Sequence, residues 1–161
     1  MLAMRTPTIA AGSDGGESRA TLAVLDFDYV DTSGEARDQR SEHETRLENF
    51  MRALKSDLAT RGKLRLVVPA CRPAPCSLAQ STASEVLKAA REAGADLLMM
   101  GTIHKMSTLV QWAKVEAVDT RTGRPVVDKL FTFRGDTDEA WARAETFITD
   151  EIMTTQQRSA R

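Results

Sequence analysis

From Leu97 to Phe133 the chain reads LLMMGTIHKMSTLVQWAKVEAVDTRTGRPVVDKLFTF. Three apolar, strand-like segments follow one another here, over residues 97–103, 109–118 and 125–133, and the intervals between them are too short to hold a helix. Strands joined so tightly pair antiparallel. Asp119-Thr-Arg-Thr-Gly123 carries the turn-forming residues of a hairpin. His104-Lys-Met-Ser-Thr108 reads as the polar tip of the other, with Lys105 exposed there to meet an anion or a partner's carboxylate.

Upstream, the pattern changes to alternating strands and helices. Thr21-Leu-Ala-Val-Leu-Asp-Phe-Asp-Tyr29 predicts a first strand, apolar almost to its acidic exit, as in a sheet covered on both faces. Over 41–61, Leu47, Phe50, Met51, Leu54 and Leu58 recur at helical spacing, with Glu42–Arg46 and Glu48–Arg52 as i,i+4 pairs and His43 on the polar surface. Gly62 ends that helix before a strand over 64–68. A second helix opens near Ser81, where Thr82 and Glu85 have capping-box spacing, and stops at Gly94. A last helix opens at Asp136-Thr-Asp-Glu139, whose acids suit a helix amino terminus, and carries Trp141, Ala144, Ile148 and Ile152 along one stripe. The order β-α-β-α-β-β-β-α defines an α/β sandwich of two or three layers around a mixed five-stranded sheet. The organisation is an amino-terminal arm over 1–20, one domain over 21–156 and a tail over 157–161.

The 161 residues carry 22 Lys+Arg and 23 Asp+Glu, a net charge of −1. This balance points away from a nucleic-acid partner. No apolar run approaches the ~20 residues of a membrane helix. Residues 1–20 show no charged segment followed by an apolar core, so no intact secretory leader is recognisable in this chain. The two cysteines stand in Cys71-Arg-Pro-Ala-Pro-Cys76, a loop that Pro69, Pro73 and Pro75 stiffen. Two readings stay open: a short-range disulfide, which implies a periplasmic location, and free thiols in the cytoplasm.

Trp112 shares a strand face with Lys114 and Glu116, so its indole is either covered by a helix or exposed as a recognition residue. Enzyme signatures are sparse. With only His43 and His104 present, a multi-histidine metal site is excluded, and no Gly-x-Ser-x-Gly, phosphate-binding loop or dinucleotide fingerprint occurs.

Ala23-Val-Leu-Asp26-Phe-Asp28 resembles the opening signature of the haloacid-dehalogenase-like phosphatases. That resemblance implies Asp26 as nucleophile, Asp28 as acid and base, Thr102, Lys105 or Lys129 as further motif residues, and magnesium at Gly135-Asp136-Thr-Asp138. The antiparallel run at 97–133 opposes it, because the family gathers its motifs at the carboxyl ends of parallel strands. A further alternative is a small ligand or hard cation held at the acidic strand end.

A second resemblance spans roughly residues 21–152. Leu22-Ala-Val-Leu-Asp-Phe27, Ala93-Gly-Ala-Asp-Leu-Leu-Met-Met-Gly-Thr-Ile103 and Val115-Glu-Ala-Val-Asp-Thr-Arg-Thr-Gly123 are similar to the amino-terminal domain of TolB and to CsgG-type envelope proteins. The segments 101–114 and 133–141 resemble an uncharacterised family of small exported bacterial proteins, known only as a domain of unknown function. These resemblances imply a non-enzymatic adaptor in the periplasm that binds another envelope protein, without catalytic residues, cofactor or metal. The surface expected to do so comprises Asp26, Asp28, Asp31, His104, Lys105 and Trp112, beside the cysteine loop.

Overall fold

The computed structural model describes residues 19–159, with side chains described as far as Gln156. The expected arm therefore lies outside the described residues apart from Arg19 and Ala20. The elements are β1 (Thr21–Val24), β2 (Asp28–Asp31), α1 (Arg40–Thr60), β3 (Arg65–Val67), α2 (Ala83–Glu92), β4 (Leu97–Lys105), β5 (Val110–Asp119), β6 (Pro125–Arg134) and α3 (Asp138–Ser159). Residues 157–159 of the expected tail thus continue α3, and residues 160 and 161 lie outside the description.

One mixed sheet has the order β3-β1-β4-β5-β6, with β2 also on β4. The first three of these strands are parallel, and β4, β5 and β6 form an antiparallel meander, as the run from Leu97 to Phe133 predicts. The sheet has six strands rather than five because the expected first strand is broken at Leu25-Asp26-Phe27. β1 and β2 both run parallel to β4 in the same lane. Val24 pairs with Met99 and Asp28 with Thr102, so four steps along this lane match three along β4. The extra residue inverts the alternation of side chains: Leu22 and Val24 pack into the main core in β1, whereas in β2 the inward residue is Tyr29.

Two cores flank the sheet. On the inner face, Phe50, Met51, Leu54 and Leu58 of α1 and Trp141, Ile148 and Ile152 of α3 close over Leu22, Met99, Ile103, Ala113, Val115 and Phe131. On the outer face, Val86, Ala89 and Ala90 of α2 cover Ala23, Leu25 and Leu98, with Cys76 packed beside them. Gly101 lets the sheet close over Phe27, whose ring carbons lie 2.6 Å from where a Cβ would stand. α2 begins with the predicted capping box: the Thr82 hydroxyl accepts the Glu85 N–H, and the Glu85 carboxylate accepts the Thr82 N–H at 2.8 Å. At the β5–β6 turn, Asp119 accepts the N–H groups of Arg121 and Thr122, and Gly123 takes φ +69°. Cys71 and Cys76 are joined by a disulfide.

Candidate binding surface

A group of charged residues on the inner face is gathered where β4, β5 and the amino termini of α1 and α3 meet. Lys105 is the last residue of β4 rather than part of an exposed tip, and its side chain is fully buried. Its strand phase explains this: it follows Met99, Gly101 and Ile103 on the inward positions. The three ammonium protons go to the carboxylate of Glu35, to Gln39 Oε1 at 2.6 Å and to Asp136 Oδ2 at 2.8 Å. Burial alone would lower the pKa of this ammonium, but the hydrogen bonds to Asp136 and Glu35 outweigh it and hold the group charged.

Asp136 is the hub. Its Oδ2 also accepts from His43 Nε2 at 2.8 Å, and its Oδ1 accepts from Arg46 at 3.0 Å and Trp141 Nε1 at 3.2 Å. Burial works against this carboxylate, yet Lys105 and His43 bring it down to about 2. His43 is therefore buried against Asp136, Tyr29 and Trp141, not displayed on a polar helix surface. Arg46 likewise turns to Asp136 and Asp138 in place of the expected partner Glu42, which pairs with Arg37. Arg52 bonds Asn49 at 2.9 Å rather than pairing with Glu48. A cavity of about 590 Å³ adjoins the cluster, lined by Tyr29, Asp31, Glu35, Gln39, His43 and Leu47. The Tyr29 hydroxyl has no hydrogen-bond partner among the described residues, and burial, followed by nearby Asp31, pushes its pKa upward and keeps it protonated.

These partners define what the cluster can do chemically. A lysine that donates all three protons and stays charged is neither a base nor a nucleophile. Both oxygens of Asp136 are occupied, and its proton affinity is too low for general-base work near neutrality. The arrangement ties the 35–39 loop and the entrance of α3 to the sheet.

The acidic strand end does not converge on this cluster. Asp26, at the break between β1 and β2, is half-exposed and bonds Lys55 Nζ at 2.7 Å. Asp28 pairs with Thr102, three residues and roughly 10 Å before the Asp31–Lys105 pair. Thr102 and Lys105 point to opposite faces of β4, so the phosphatase motif residues are not brought together. Among the described residues, no three His, Cys, Asp or Glu are grouped to hold a metal ion. The disulfide loop borders Asp26 in a groove of about 590 Å³ lined by Val24, Leu66, Val67 and Pro69, which has no lining residue in common with the His104–Trp112 region.

The outer face of the same strands is open. Register aligns Val30 of β2, His104 of β4, Trp112 of β5 and Thr132 of β6 in one row across the sheet. The next row runs Asp28, Thr102, Lys114, Leu130. Trp112 is 38% exposed, Val30 42% and Leu130 57%. The indole is thus uncovered, with the His104 ring edge-on to it at 6.3 Å. His104 Nε2 lies 2.7 Å from Thr32 Oγ1, and Lys114 pairs with Asp128. Of the six surface residues expected from sequence, Asp28, His104 and Trp112 share this face. Lys105 belongs to the buried cluster, Asp31 lies beside it in register, and Asp26 stands at the break. Leu130 was missed because its significance depends on the β5–β6 register, which sets it opposite Lys114.

A sheet of this order, with two helices on one face and one on the other, is the fold of TolB-like domains. TolB from Acinetobacter baumannii matches with a TM-score of 0.54 at 13% identity, over 87% of this chain and 29% of TolB. The chain therefore spans less than a third of TolB's length. Lipoprotein GNA1162 from Neisseria meningitidis matches with a TM-score of 0.52 at 13% identity, over 84% of this chain and 99% of that protein. No curated protein sequence matches. The chain belongs to the DUF3280 family, described as a protein of unknown function (DUF2380), which it matches over residues 20–153.

Proposed function

We propose that the protein is a non-enzymatic binding module of the bacterial envelope, one unit over residues 21–156, which holds another envelope protein on the open outer face of its sheet. The observation that carries this reading is the uncovered row Val30–His104–Trp112–Thr132, on strands whose other face lies beneath α1 and α3. An exposed indole amid scattered apolar and polar side chains has the composition of a recognition patch. The location is supported by the Cys71–Cys76 disulfide, a bond that persists in oxidising compartments. The shared fold with TolB and with a lipoprotein agrees with it. The absence of enzymatic activity is supported by the mutual saturation of Lys105 and Asp136 and by the pairing of Asp26 with Lys55.

The test combines location and contact in the native host. Alkylation of intact cells and fractions should recover the chain in the periplasm with both cysteines protected until reduction. A photocrosslinker at Val30, in the same row but away from the β6 edge, should yield one discrete protein adduct, which Trp112→Ala weakens; the same probe at Arg121, on the hairpin turn, should yield none. A cytoplasmic chain with free thiols overturns the reading. So does phosphomonoester hydrolysis that Asp26→Asn abolishes.

A further inference from the structure

The sheet ends at β6, and among the described residues no strand lies beyond it. This edge is 10 residues long. The Gly135 N–H donates to the Leu109 carbonyl at 2.9 Å, which makes 109 and 135 a hydrogen-bonded pair. Such pairs alternate along an antiparallel ladder. From Val127 onward the odd residues of β6 therefore bond to β5, while Asp128, Leu130, Thr132 and Arg134 direct their backbone N–H and C=O groups away from the sheet; the bulge opposite Val118 ends this phase.

A long bare edge is a template for a further strand. Here it is flanked by apolar side chains on both faces. Leu130 stands 57% exposed on the outer face. On the inner face Phe147 of α3, also 57% exposed, meets the edge residue Phe131 at 6.0 Å. Lys129 is an inward charge of the kind that blunts edges, but Glu151 pairs with it at 3.1 Å and neutralises it.

We infer that β6 is a self-association edge, on which a second copy of the chain pairs antiparallel about a two-fold axis at Phe131. In any two-fold pairing the outward residues must bond one another, which centres the axis on a single residue. Centring on Leu130 sets Arg134 opposite Val126 of the partner subunit. Centring on Phe131 sets it opposite Asp128 of the partner subunit, and symmetry makes that charge pair twice. Among the described residues Arg134 makes no other ion pair, whereas Asp128 is already held by Lys114. The same register brings the two copies of Phe131 side by side, with a Phe147 from each copy against them.

This self-complementary charge pattern selects a second copy over a foreign strand. In this register residues 128–134 of each copy face one another, roughly 24 Å of paired strand. With the flanking side chains they bury roughly 400 Å² per copy, about 800 Å² in total, the size of weak and transient interfaces. Association should accordingly depend on concentration.

Sedimentation equilibrium of the full chain across the micromolar to millimolar range tests this. The wild type should fit a monomer–dimer equilibrium. Arg134→Asp should weaken dimerisation about tenfold or more, since it turns both charge pairs repulsive. Asp128→Arg should do the same, and the double exchange Asp128→Arg/Arg134→Asp should restore association. Phe147→Ser should weaken it without altering the charge pattern. All variants should keep the wild-type circular dichroism, because these side chains are exposed. A monomer at every concentration overturns the inference, as does a dimer that neither single charge reversal weakens or that the double exchange fails to restore.

Discussion

Replacing Lys105 with methionine preserves most of the side chain's length and removes its charge, and the contacts given above allow the cost to be worked out. Three acceptors lose their donor at once. Gln39 and Glu35 can partly turn to water, Glu35 being 23% exposed. Asp136, only 10% exposed, keeps Arg46, His43 and Trp141. Removing one partner of a buried ion pair costs about 3–5 kcal/mol. The remaining donors to Asp136 place Lys105→Met at the lower end, about 3 kcal/mol. For a domain of this size that lowers Tm by roughly 10 °C. Urea unfolding followed by far-ultraviolet circular dichroism should show an earlier midpoint at unchanged slope. A second substitution, Glu35→Gln, should recover about 1 kcal/mol, since it removes the stranded charge. The effect has a defined pH dependence. Asp136 is depressed to about 2 in the folded protein, so the stability it contributes is complete above its unfolded value of ~3.9 and is lost as pH falls towards 2. The difference between wild type and Lys105→Met should therefore be widest above pH 4 and narrow in acid. A variant within about 1 kcal/mol of wild type at pH 7 would refute the claim that Lys105 ties this end of the fold together.

Gly101→Ala would place a Cβ 2.6 Å from the Phe27 ring and 2.7 Å from the Lys114 carbonyl; the overpacking should cost about 1–3 kcal/mol, read as a shift in urea midpoint. Replacing both Cys71 and Cys76 by serine opens a loop of six residues, and loop closure predicts a loss of about 2 kcal/mol; reduction of the wild type should lower its midpoint by a similar amount and leave the double variant unmoved. Thr82→Ala removes the hydroxyl that accepts the Glu85 N–H and should cost about 1 kcal/mol, visible as earlier amide exchange in the first turn of α2.

Those elements that depend on local chemistry were legible in the sequence. The capping box of α2, the hairpin at Asp119–Gly123 and the meander from Leu97 onward rest on residues a few positions apart, and each appears where the spacing predicts. The buried cluster was not legible, because His43 and Asp136 are 93 positions apart and Lys105 and Glu35 are 70 apart. A helix surface rich in acids concealed that His43 faces inward to one of these partners. One usable signal existed for Lys105: it shares the strand phase of Met99, Gly101 and Ile103, so extending the strand by two residues places it inward. The outer face was only partly foreseen. Alternation set Trp112 with Lys114 and Glu116, but whether a helix covers that face depends on where α2 lies, and α2 packs over Ala23, Leu25 and Leu98.

The extra residue between Val24 and Asp28 can be identified. Leu25 packs in the outer core and Phe27 in the inner one, so Asp26 is the residue without a place in the alternation. Removing Asp26 alone would let Val24, Leu25, Phe27, Asp28 and Tyr29 run in plain alternation against Met99 to Ile103, with Tyr29 still inward and Val30 still outward. Drawing all three residues taut as regular strand would do the opposite and turn β2 over, carrying Val30 towards His43 and Trp141. The break thus absorbs one residue of chain length so that both halves of the lane keep their faces, and a one-residue shortening there should be borne far better than one within β2.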